Sequence, residues 1–111
     1  MSDYNWFENP TTLIGHVQPD SIVSRTLYKN DHAKAVLFAF DAGQSLSEHQ
    51  AAQPAIIHIL DGEAALTIGD DQLEGHPGTL IDMQPGLKHS VFAKTRLVML
   101  LFLLQTKAQE S

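Results

Sequence analysis

The chain has 111 residues, no cysteine and a formal net charge of −6, from 13 acidic and seven basic side chains. That length holds one domain large enough to bury a core. Lacking cysteine, it has no disulfide and no thiolate zinc or iron–sulfur centre. Its Lys and Arg are scattered singly, which argues against nucleic acid and against an anionic membrane surface as partners.

Residues 1–20 read as an arm packing on the body. Asn9-Pro10 and Pro19-Asp20 are turn signals. Trp6 and Phe7 are the expected anchors, plugging one end of a core. This N-terminus has neither a basic n-region nor an apolar h-region, so a cytoplasmic location is expected.

The body spans 21–105. Ser21–Tyr28 is rich in β-formers, and Lys29-Asn30-Asp31 is a turn. Lys34–Phe40 is a second strand, with Val36, Phe38 and Phe40 on one face. Asp41-Ala42-Gly43 ends it. Ser45–His49 is short; Ala55–Leu60 and Glu63–Ile68 are clearer. Asp61-Gly62 between them is the strongest hairpin signal in the chain. Gln72–His76, Thr79–Met83, His89–Ala93 and Leu97–Leu104 complete the set. Many short strands with regular turns predict an all-β sandwich or barrel. Leu97–Leu104 is apolar on both faces and too short to cross a membrane as a helix. One face fills the interior; the other needs the arm or a second subunit, and a homodimer is expected. Residues 106–111 form a tail that at most frays into a turn of helix.

Six histidines are the main reactive inventory. His16, His32 and His76 sit in polar turns and read as surface residues. His49, His58 and His89 lie in or beside apolar strands. No nucleophile elbow, phosphate loop or HExxH motif is present.

Gly43, His49 and Gly62 match the first cupin motif, and Gly78, Gly86 and His89 the second. The chain therefore resembles the small single-domain cupins over roughly residues 20–105. The resemblance implies a cupin double-stranded β-helix, a jelly-roll-like barrel. It also implies a site in the barrel interior where metal-binding members hold a divalent ion (Fe, Mn, Ni or Zn) with three His and one Glu. Here the second His position is Ala51 and the Glu position Ala55. Gln84 and Ala93 replace the Pro and Asn of the second motif, with a proline displaced to Pro85. Only His49 and His89 carry over as ligands.

Side-chain alternation puts His49, Ala51, Gln53 and Ala55 on one face, with Glu48 and His58 pointing away. Gln53 is then the best-placed substitute ligand, an amide oxygen being a poor one for a transition metal. A bulge at Pro54 would bring His58 in, and Glu48 is the only nearby carboxylate. The expected pocket is lined by His49, His89, Gln53, Phe38, Phe40, Ala51, Ala55, Ile57 and Met83. Two alanines in place of ligands favour a metal-free pocket for a small organic molecule, such as one bearing a carboxylate or hydroxyl. A metal-dependent cupin enzyme (oxygenase, isomerase or decarboxylase) using His49, His89 and a substitute ligand is the alternative. A non-catalytic interaction protein is the third.

Overall fold

Two antiparallel sheets face each other and enclose the interior between them. A computed structural model describes residues 3–105; the expected frayed tail at 106–111 lies outside the described residues. The strands are β1 (Ile22–Lys29), β2 (Ala33–Phe40), β3 (Ser45–Gln50), β4 (Ala55–Asp61), β5 (Ala64–Ile68), β6 (Asp71–Gly75), β7 (Leu80–Met83), β8 (Lys88–Ala93) and β9 (Leu97–Leu104). One sheet has the order β1-β2-β9-β4-β7 and the other β3-β8-β5-β6. The all-β reading of the sequence holds, with strand boundaries within two residues of those expected.

Alternation sorts the side chains. Phe40, Ile57, Ile59, Leu66, Val91, Leu97 and Met99 point between the sheets and form the main core. Val98 and Leu100 of β9 point outward and join Leu37 and Ala39 in a second cluster. Ile14 and Val17 of the arm close over that cluster. β9 is apolar on both faces because both are covered. The Arg25 side chain donates to the Leu13 carbonyl at 3.0 Å and that of Arg96 to the Gly15 carbonyl at 3.3 Å, which fastens the arm.

Three sequence expectations need correction. Trp6 is no anchor: it is 72% exposed. Phe7 does pack, stacked on Tyr28, but the arm is held mainly by the aliphatic Ile14 and Val17. Part of the arm, Pro10–Leu13, forms one turn of 3-10 helix; a proline at the first position suits this, since its missing N–H would be unbonded there anyway. Finally, Asp61-Gly62 joins no hairpin. β4 and β5 lie in different sheets, and only Gly62, at φ +89°, has positive φ there. The turn carries the chain across the barrel. A Cβ on Gly62 would collide with the Arg96 carbonyl oxygen, so glycine is required by close approach as well as by φ.

Candidate functional site

His49 and His89 meet. They are directly opposed across the β3–β8 ladder, and their rings lie edge to face with centroids 4.2 Å apart. The register is broken between Leu46 and His49. Leu46 opposes Val91 and His49 opposes His89, so Ser47 and Glu48 together face the single residue Ser90. That is a β-bulge. It lets Leu46 and His49 both look into the barrel despite their odd spacing.

Each ring is anchored in the same way. His49 Nδ1 lies 3.0 Å from the Ser47 carbonyl oxygen, and His89 Nδ1 lies 3.0 Å from that of Leu87. A carbonyl only accepts, so Nδ1 of each ring is the donor and carries a proton. In the neutral ring Nε2 is then a bare acceptor. No protein hydrogen bond reaches either Nε2 among the described residues. The two rings differ in access. His89 is 3% exposed, the one buried polar side chain of the described core, whereas His49 is exposed. A buried imidazole nitrogen without a partner is costly unless something hydrogen-bonds to it.

The barrel is packed at one end and loosens toward the histidines. Along β9 the inward residues run from fully buried Leu97 and Met99 to half-buried Leu101 and Leu103. Along β5 they run from buried Ala64 and Leu66 to half-buried Ile68, which opposes His89. Of the residues expected to line a pocket, Phe40, Ala55, Ile57 and Met83 are packed into the core with almost no accessible surface. Phe38, Ala51 and Gln53 are half-buried. Sequence reasoning missed Leu46, Ile68, Leu87, Leu101 and Leu103, the half-buried aliphatic residues packed against this core. Alternation along β9 from Leu97 marks Leu101 and Leu103 as inward; Ile68 needed the β5–β8 register.

The substitute ligands do not gather. His58 opposes Leu100 and Leu80 on the outer face of its sheet, because Ile57 and Ile59 take the inner one. Pro54 makes no bulge that would turn it in; its carbonyl accepts from Leu104 N–H just before β4 starts. Glu48 is exposed within the bulge. Gln53 lies in a bend outside any strand, with no hydrogen bond to either ring among the described residues. Among the described residues no three His, Cys, Asp or Glu side chains form a metal-holding group. Two anchored imidazoles are half of a three-His, one-Glu set, and Ala51 and Ala55 offer no lone pair. The residues present do not complete that metal site. His76, far from the pair, binds Glu63 at the surface.

The Cupin domain profile matches residues 36–103, more than half of the chain. The chain belongs to the cupin family. This cupin resembles a conserved protein of unknown function from Streptococcus pyogenes at 25% identity, over 96% of this chain and 92% of that one, with a TM-score of 0.82. It resembles a cupin superfamily protein from Desulfitobacterium hafniense at 27% identity over 86% of each chain, with a TM-score of 0.80. It shares its fold with a salicylate 1,2-dioxygenase variant from Pseudoaminobacter salicylatoxidans, solved with gentisate, at 14% identity over 78% of this chain and 26% of that one, with a TM-score of 0.70. No curated protein matches the chain. Among the described residues no helix is long and apolar enough to cross a membrane.

Proposed function

We propose that this cupin is a small-molecule binding module whose ligand sits at the loosened end of the barrel, hydrogen-bonded to His49 and His89. The observation that carries the reading is the paired tautomer: both Nδ1 atoms are committed to backbone carbonyls. Both Nε2 atoms are left as acceptors, one of them on a buried ring. A ligand hydroxyl satisfies such acceptors directly. A carboxylate, itself an acceptor, would require protonated rings. Half-buried Ile68, opposite His89, Leu87, whose carbonyl holds its ring, and Leu46, across the bulge from His49, favour an apolar ligand body. We place the role in binding rather than catalysis, because among the described residues no third His, Asp or Glu gathers with the pair.

The test is a thermal-shift screen of metal-stripped protein against small hydroxylated compounds, repeated with His49→Ala and His89→Ala. A compound that stabilises the parent and neither variant supports the reading. An empty screen, with the interior packed solid in a crystal structure, sinks it.

A second reading is a metal-dependent cupin enzyme. What favours it is the anchoring itself, since metal-ligating histidines characteristically donate their other N–H to a carbonyl or carboxylate. Stoichiometric metal in purified protein, lost in both alanine variants, would favour this reading over the first. We further propose that the chain works as a homodimer, joined through the outer face of β4 and β7. The arm leaves Leu80 there 65% exposed.

A further inference from the structure

We propose that Gln50 is the positioning residue of this site: its side-chain amide clasps the turn at Gly86 and so fixes His49 against His89. This rests on the reading that the two rings act as one site.

His49 is the weakly held member of the pair. β3 is an edge strand with β8 as its one neighbour. Its ladder is broken by the bulge, beyond which the His49–His89 and Gln50–Lys88 pairs remain. His89 has strands on both sides, facing His49 on one and Ile68 on the other. After Gln50 the chain leaves this sheet for β4 in the other sheet. Just before Lys88 it arrives from β7, also in the other sheet. The two crossings run side by side where no ladder joins them, and both histidines hang on their ends.

Two hydrogen bonds bridge the crossings, and both converge on Gly86. Gln50 Nε2 donates to the Gly86 carbonyl at 2.7 Å, and Gly86 N–H donates to the Ala51 carbonyl at 2.8 Å. Gly86 has φ +82°. It follows Pro85 in a turn closed by Leu87 N–H to the Gln84 carbonyl, the arrangement of a type II turn. That turn presents the carbonyl and N–H of one residue to the β3 end. Glutamine meets the geometry because it carries a donor at the end of two methylenes. Leucine keeps a side chain out to Cδ but has no donor, and lysine restores a donor within reach.

The test uses Cu(II) as a probe on the metal-stripped full chain, reading affinity and the number of coupled nitrogens by electron paramagnetic resonance. The parent should show a site with two coupled histidine nitrogens, reduced to one in His49→Ala and in His89→Ala. Gln50→Leu, with unchanged circular dichroism, should bind Cu(II) about fivefold more weakly, the scale of one exposed hydrogen bond. It should also give mixed one- and two-nitrogen spectra. Gln50→Lys should recover the two-nitrogen signal. A Gln50→Leu variant that keeps parental affinity and a pure two-nitrogen spectrum overturns the role of Gln50 while leaving the histidine pair intact. A parent whose Cu(II) signal is indifferent to both histidine variants overturns the pair as a site, and Gln50's role with it.

Discussion

Leu46 and His49 stand three positions apart on one strand, yet both face the barrel interior. Leu46 packs on the main core, and His49 meets the ring of buried His89. The two-residue bulge at Ser47 and Glu48 reconciles the odd spacing with a common face. Deleting Ser47 removes the bulge and restores strict alternation. Leu46 and His49 then stand two positions apart and share the inward face without it, with Glu48 alone opposite Ser90. The deletion variant should fold, change stability by no more than roughly 1–2 kcal/mol and keep the His49–His89 ring contact, whereas a lost contact would mean that the bulge itself aims His49. Histidine side-chain nuclear Overhauser effects check this directly.

Gly62 and Gly43 have almost the same backbone angle, φ +89° and φ +87°, but different surroundings. A Cβ at Gly43 meets open space; one at Gly62 meets the backbone of Arg96 and Leu97. Gly43→Ala should cost about 1 kcal/mol, from the left-handed conformation alone. Gly62→Ala should cost about 3 kcal/mol or more, because backbone must move as well. Urea unfolding of the two variants side by side measures the difference.

The packing gradient along the barrel predicts a second contrast. Met99 is fully enclosed, while Leu103, on the same face of the same strand, is half-exposed near the histidine end. Met99→Ala should cost about 3 kcal/mol, and Leu103→Ala nearer 1 kcal/mol. Equal losses would mean that the histidine end is as tightly packed as the other.

Much of this was legible in the sequence. Alternation in Lys34–Phe40, Ala55–Leu60 and Leu97–Leu104 gave the strands and their inward faces, because burial on one face imposes a period of two. The motif spacing marked His49 and His89. Three things escaped, each for a physical reason. Neither a bulge nor the end of a strand leaves a composition signature here, and alternation carried past Gln50 phases Ala51 and Gln53 as if β3 continued, whereas both lie past its end. A turn such as Asp61-Gly62 specifies backbone conformation but not whether the chain returns beside itself or crosses to the other sheet. An aromatic such as Trp6 promises burial only if the fold offers it a cavity, and here aliphatic Ile14 and Val17 take that place.

The proposed dimer predicts a particle of twice the 12.2 kDa chain mass in light scattering at micromolar concentration. Leu80→Lys, on the outer face of edge strand β7, should yield the monomer without lowering its thermal stability, because Leu80 is already exposed in the single chain. A monomeric parent removes the dimer.

The proposed acceptor site needs the Nε2 atoms of both His49 and His89 to be available. Long-range proton–nitrogen correlation spectra of histidine-labelled, metal-free protein read this directly. Both rings should be Nδ1–H tautomers in the free protein, and a hydroxylated compound selected by thermal shift should move both Nε2 resonances together. An Nε2–H tautomer at either ring, or a bound compound that leaves both resonances in place, would contradict it.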